Sequence, residues 1–220
     1  LPTYRAEDFG RMLDETGADV VIVTSIDRTH HIYIIAAMEA GRDVITEKPM
    51  TTDVVKCQQI IDTAKRTGRS VRVTFNYRYA PHNAAVHEII ASGGIGDVYS
   101  VHFEWLLDTK HGADYFRRWH RDKRNSGGLM VHKSTHHFDL LNFWLQSQPQ
   151  TVFGMGDLRF YGRAHAQERG LFTPYTRTTE VAAPQTDPFA IVFTHSPVRE
   201  ARLRDAGHGG SEEGRGGKEW

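Results

Sequence analysis

Apolar and polar positions along the first third of the chain switch between the period of a strand and that of a helix. Val20-Val21-Ile22-Val23 is a continuous β-branched run, the pattern of a parallel strand covered on both faces. A turn over Ser25–Arg28 follows, with Asp27 as a candidate helix N-cap. Ile32, Ile35 and Met38 then recur near helical spacing as far as Gly41, a stop signal. Val44-Ile45-Thr46 forms a second strand that runs into Glu47-Lys48-Pro49. Asp53 caps another helix, with Val54, Val55, Ile60, Ile61 and Ala64 on its apolar face and Gly68 at its end, and Val71–Phe75 is a third strand. Strand–helix–strand–helix–strand at this spacing predicts a doubly wound α/β layer with right-handed crossovers.

The pattern changes near Tyr77. His82–Ala91 has helical spacing, Ser92-Gly93-Gly94 is a loop, and Val98–Trp105 alternates as a strand does. Residues 107–126 are polar, aromatic and basic with no regular period. Gly127-Gly128 opens a helical stretch through Leu145, and Thr151–Phe153 and Leu158–Tyr161 are strand-like, so this half is α+β with strands that pair with one another. Residues 199–220 are rich in Gly, Arg and Glu, with almost no apolar side chain before Trp220. Such a segment cannot bury enough surface to offset its ordering entropy, and it is expected to be a disordered or aberrant tail.

Composition narrows the classes. Lys plus Arg and Asp plus Glu both number 27, so nothing in the net charge favours nucleic acid or an acidic membrane as a partner. No apolar run approaches the roughly 18 residues of a membrane helix. The single cysteine, Cys57, excludes an internal disulfide framework and favours a reducing, cytoplasmic setting. The start at Leu1-Pro2-Thr3-Tyr4, with neither an initiator methionine nor a signal-peptide core, is read as a truncation.

Thirteen histidines make histidine chemistry a natural candidate. Glu47-Lys48-Pro49 stands at the carboxyl end of a parallel strand, where open α/β sheets bind ligands. A lysine there, its pKa lowered by burial, can exchange a proton with a substrate hydroxyl; a surface lysine before a turn is the plainer alternative. In Gly127–Asp139, a continuous helix would put His132 and His136 four apart on one face. They would then serve as an acid/base pair, as a half-site for zinc completed by His120 or His111, or as ordinary core and surface histidines. The run Tyr115–Arg124 interleaves aromatics with cations; Arg118, Trp119 and His120 could stack on and hydrogen-bond to a sugar, and a solvated loop is again the plainer alternative. No G-x-G-x-x-G fingerprint occurs: Gly94-Ile95-Gly96 and Gly154-Met155-Gly156 both lack the third glycine.

Val21–His30, Glu47-Lys48-Pro49, Asn76-Tyr77-Arg78 and the Gly127–Asp139 block together resemble the glucose–fructose oxidoreductase/inositol dehydrogenase (Gfo/Idh/MocA) family, over about residues 4–195. The resemblance implies an α/β Rossmann-like domain, incomplete at its N-terminus, over residues 1–78. An α+β domain with an open, mostly antiparallel sheet would follow over 79–198, and a homo-oligomer would form through that sheet. It implies NAD or NADP as cofactor and a sugar, polyol or related small molecule as substrate. Lys48 and His136 then match catalytic positions, with His132 assisting. Ser25, Asp27, His30, Glu47, Lys48 and Asn76 match positions lining the cofactor. The chain departs from the family where His132 replaces a usual aspartate and Ile26 a usual proline. A glycine-rich phosphate loop is missing before Leu1, and the closing strands are not recognisable after about Val192. An enzyme fragment that is inactive or impaired, weakened in cofactor binding, is the expectation, with a non-catalytic fragment or interaction module, or a metal-assisted lyase or hydrolase using His132 and His136, as alternatives.

Overall fold

The structure is a computed structural model that describes residues 2–108, 112, 115, 116 and 119–170. The expected tail over 199–220 lies outside these. The chain divides into two compact units, one of residues 1–102 with 122–152 and one of 103–121 with 153–220.

In the first unit, β1 (Val20–Val23), β2 (Asp43–Thr46) and β3 (Val71–Val73) lie side by side in that order and all parallel. Val21 stands opposite Val44, and Ile45 opposite Arg72. α1 (Phe9–Thr16) precedes β1, while α2 (His30–Glu39) and α3 (Val54–Thr67) form the two crossovers. Crossovers of one hand that step the same way across the sheet bring both helices down on one face, and residues of α2 and α3 do share one core. Leu13, Val21, Val23, Ile34, Ala37, Met38, Val44 and Ile60 form the core there, with Phe9 and Tyr33 meeting edge to face beside it.

On the opposite face Val20 is 46% and Ile22 68% exposed. Among the described residues β1 is covered on one face only, unlike the strand expected to be buried on both, and strands in the order β1-β2-β3 contain no reversal that would carry a helix to the other side.

Local signals act largely as read. The Asp53 carboxylate accepts from the Lys56 backbone N–H at the start of α3, and Gly68 closes that helix with φ 67°. The Lys48–Pro49 peptide is cis. Asp27, by contrast, does not cap α2. A 3-10 turn, Asp27–Thr29, intervenes, Thr29 is the N-cap without a side-chain bond, and the Asp27 carboxylate is turned elsewhere.

After the 3-10 turn Asn76–Tyr79 come α4 (Pro81–Ala91), α5 (Lys123–Ser126), α6 (Leu129–His132) and α7 (Thr135–Leu145). The helix expected to run on from Gly127-Gly128 is thus broken at Lys133 and Ser134. The His136 N–H donates to the Lys133 carbonyl at 3.3 Å, leaving the His132 carbonyl that a continuous helix would have used. α7 is tied to the end of β3 by paired hydrogen bonds from Arg78 to the buried Asp139 carboxylate, and the Trp144 indole N–H donates to the Asn83 carbonyl at 3.0 Å.

In the second unit, α8 (Arg163–Glu168) follows Tyr161, whose ring stacks on Phe116 at 4.3 Å. Val98–Trp105, Thr151–Phe153 and Leu158–Tyr161, expected as strands, carry no ladder. An alternating segment becomes a strand only where a neighbour takes up its N–H and C=O groups, and none among the described residues does so.

Candidate active site

Each parallel strand delivers its next residues to the same edge of the sheet. Ser25 and Asp27 follow β1, Glu47 and Lys48 follow β2, and Asn76 follows β3. The broken helix supplies the other wall. Lys48 Nζ donates to the freed carbonyl of His132 at 2.8 Å and lies 3.4 Å from the Nε2 of the same residue. Burial holds the Lys48 ammonium below the usual lysine range; Asp27 pulls the other way, and Lys133 adds to the effect of burial.

His132 is buried and reaches Asp27 with its other ring nitrogen, the Nδ1···Oδ2 separation being 2.5 Å. His136, the second residue of α7, is buried with its ring stacked on Tyr77 at 4.1 Å and with Phe75 at its edge. Its Nδ1 is buried without a hydrogen-bond partner among the described residues. Burial, reinforced by the nearby Lys48 and Lys133 charges, pushes its pKa down to about 4. The ring is therefore neutral near pH 7 and able to take part in a hydrogen bond with a polar ligand. Lys133 closes the cluster by donating from Nζ to the Tyr77 hydroxyl at 3.0 Å.

Lys48, His132 and His136, expected from the sequence, are thus brought together, and Asp27 joins them in a role the sequence did not suggest. Ser25, Glu47 and Asn76 are exposed at the strand ends. His30 is not. It is 1% exposed, and both ring nitrogens face backbone carbonyls, Nδ1 that of Pro49 at 2.9 Å and Nε2 that of Ser25 at 2.8 Å. It clamps the turn after β1 to the Lys48 loop, and no ring edge is left for a cofactor. Arg118 and His111 lie outside the described residues. Trp119 and His120 belong to the second unit, where their rings stack at 3.7 Å. The expectation that His132 and His136 share one helical face also fails, since they sit on α6 and α7. Among the described residues no group of three or more His, Cys, Asp or Glu is placed to hold a metal ion, and the His132 nitrogens face Asp27 and Lys48 instead. Sequence reading missed the Arg78–Asp139 anchor and the Tyr77–Lys133 contact, which join residues 61 and 56 apart with no spacing to announce them.

Comparison with known proteins shows the family. Residues 3–75 match the family model described as "Oxidoreductase family, NAD-binding Rossmann fold", and residues 87–194 match "Oxidoreductase family, C-terminal alpha/beta domain". The chain is 45% identical over 162 residues to YteT of Bacillus subtilis, a protein named only by class as an oxidoreductase, covering 74% of this chain and 38% of YteT. It is 26% identical over 140 residues to the inositol 2-dehydrogenase/D-chiro-inositol 3-dehydrogenase of Lactiplantibacillus plantarum, covering 63% of this chain and 37% of that protein. The chain thus spans well under half the length of these relatives. An inositol dehydrogenase homolog from Azotobacter vinelandii, solved in complex with NAD+, shares the fold with a TM-score of 0.55 at 23% identity, over 63% of this chain and 38% of that one. With a Rossmann-like NAD-binding domain followed by a C-terminal α/β domain, the chain belongs to the Gfo/Idh/MocA oxidoreductase family.

Proposed function

We propose that this chain carries the cofactor-lining and proton-transfer residues of an NAD- or NADP-dependent oxidoreductase acting on a hydroxyl or keto group of a sugar, polyol or related compound. The observation that carries the reading is Lys48. It stands at the carboxyl end of a parallel strand, held below the usual lysine range by burial, between His132 and the neutral His136. The site suits a polar ligand, because the His136 Nδ1 is a buried polar atom with no partner among the described residues and Ser25, Glu47 and Asn76 are exposed at the three strand ends. Those three side chains would hold the nicotinamide cofactor, with Lys48 beside them. When bound, the cofactor supplies the hydride acceptor.

The chain's own residues handle the proton. In the oxidative direction, Lys48 in its amine form takes the hydroxyl proton at Nζ. His136 hydrogen-bonds the same hydroxyl and orients it, and His132 assists from behind the amine. In the second unit, Trp119 with His120 offers a stacking face for a sugar ring, and Arg118, next to them in sequence, is the third residue proposed to bind substrate. The proposed domain roles are cofactor binding for residues 1–78 and substrate binding for 79–198. The latter would carry the open, mostly antiparallel sheet through which copies of a cytoplasmic protein pair.

The test is oxidation of inositols, aldoses and sugar acids by the purified protein with NAD+ or NADP+, followed by nicotinamide absorbance. Lys48→Met should lower kcat by about 10²–10⁴-fold, the usual contribution of general acid–base catalysis, with little effect on cofactor binding. Because burial lowers the Lys48 pKa, the rate should rise with pH to a plateau below the ordinary lysine value of 10.5. A Lys48→Met protein with undiminished kcat would remove Lys48 from the mechanism.

A further inference from the structure

Asp27, expected to border the cofactor, does not cap α2, and its carboxylate makes a contact that the sequence did not suggest. Its carboxylate is 3% exposed on the turn after β1, and its Oδ2 stands 2.5 Å from the His132 Nδ1, 105 residues away in sequence. An ionised carboxylate only accepts hydrogen bonds, so the hydrogen in this contact belongs to the Nδ1. In the neutral ring the Nε2 is then left with a lone pair. That Nε2 lies 3.4 Å from the Lys48 Nζ, which is itself steered by its bond to the His132 carbonyl. The groups around the ring are Asp27 from the turn after β1, Lys48 from the loop after β2, the neighbouring Lys133, and His136 from α7.

We infer that Asp27 is a positioning residue that holds His132 in the Nδ1–H tautomer, with its Nε2 presented to Lys48 as the next acceptor for the proton taken from substrate. The inference rests on the oxidoreductase reading above. In the forward direction the substrate O–H bond breaks and its proton joins the Lys48 amine. An Nζ–H bond then breaks as an N–H bond forms at the His132 Nε2. The resulting imidazolium faces the Asp27 carboxylate, and the hydride leaves separately with the nicotinamide. A carboxylate behind a histidine fixes its ring orientation and tautomer and stabilises the charge that forms.

Asp27→Asn is the informative variant, because it keeps shape and volume while offering the Nδ1 either a donor or an acceptor, which abolishes selection between tautomers. Long-range ¹⁵N–¹H correlation spectra of the labelled full chain, with His132→Gln to assign the ring, read the tautomer without substrate or cofactor. The neutral His132 of the wild type should be Nδ1–H, and Asp27→Asn should mix or reverse the tautomers. In the same variant kcat should fall about a hundredfold while KM changes little. A wild-type His132 protonated at Nε2, or an Asp27→Asn protein with unchanged tautomer and full kcat, would overturn the assignment. Should Asp27→Asn fail to fold, the wild-type tautomer decides alone. Should no sugar or polyol be oxidised while His132 is found as Nδ1–H, the functional reading fails and the positioning contact stands.

Discussion

Removing His136 should change how the protein's stability depends on pH. Its pKa falls from the ordinary 6.5 to about 4, first through burial and then through the Lys48 and Lys133 charges. The folded pKa thus lies below the unfolded one, so as pH falls the unfolded chain takes up the proton first. The neutral ring's advantage is fully present above about pH 6.5 and is lost as pH drops toward about 4. That interval corresponds to about 3 kcal/mol as an upper bound. Solvent reaching the ligand side of the ring screens part of it, leaving roughly 1–2 kcal/mol. Urea unfolding of the wild type and His136→Gln near pH 7, and again near pH 4.5, measures the change. The loss of ring stacking on Tyr77 offsets the two proteins at every pH, so the slope rather than the offset carries the information. His31 and His137, also held below the ordinary histidine value by burial, are common to both proteins and cancel. The stability gap should move in favour of His136→Gln by about 1–2 kcal/mol on acidification. Parallel pH profiles would show that burial and the two lysines do not act on this ring.

Two further substitutions probe the supports of the site. In Gly127→Ala, at φ 71°, the new Cβ would stand 2.7 Å from the Val131 Cβ and 2.8 Å from the Thr52 carbonyl oxygen. The left-handed backbone alone costs about 1–2 kcal/mol, so thermal unfolding should show Tm lowered by several degrees, with turnover falling as the loop after Lys48 is displaced. Asp53→Ala removes the cap of α3 and should cost about 1 kcal/mol near neutral pH, measured by urea unfolding. Its bonds to Lys56 hold the Asp53 carboxyl below the usual carboxylate range, so this difference should be present above about pH 4 and vanish in stronger acid.

What could be read from the sequence depends on the range of the forces involved. The three strands and α2 to α4 follow from local runs of apolar residues, and the N-cap Asp53 and the left-handed Gly68 mark α3 by chemistry confined to one turn. Lys48 was found because a strand's carboxyl end is a position defined by the strand itself. The helix break at Lys133 was not legible, because its compensation comes from Lys48, 84 residues earlier. The role of His30 was misread for a similar reason, since two carbonyls from separate loops use up its ring. Alternation over Val98–Trp105 suggested a strand, but pairing is a property of two segments and cannot be read from one. The catalytic roles proposed for His136 and His132 rest on resemblance to a family; spacing alone left an acid/base pair, a metal half-site and plain core or surface histidines open.

The departure at position 132 shows why a substitution in such a site is seldom single. A histidine placed beside Lys48 where the family usually carries a carboxylate would bring no fixed negative charge to a cluster that already holds Lys48 and Lys133. Either ring nitrogen could then carry the proton, and Lys48 would face a donor as often as an acceptor. Asp27 removes both difficulties from the opposite wall of the site. It restores a buried carboxylate, and through the 2.5 Å contact with Nδ1 it selects which nitrogen Lys48 meets. A carboxylate thus stands one imidazole away from Lys48. The pair His132 and Asp27, rather than either residue alone, is the unit on which substitution should act. A double variant that exchanges the two residue types, Asp27→His with His132→Asp, would bring a carboxylate back beside Lys48. If charge next to the amine is what matters, it should recover turnover that Asp27→Asn loses; if only the histidine can accept the proton from Lys48, it should not.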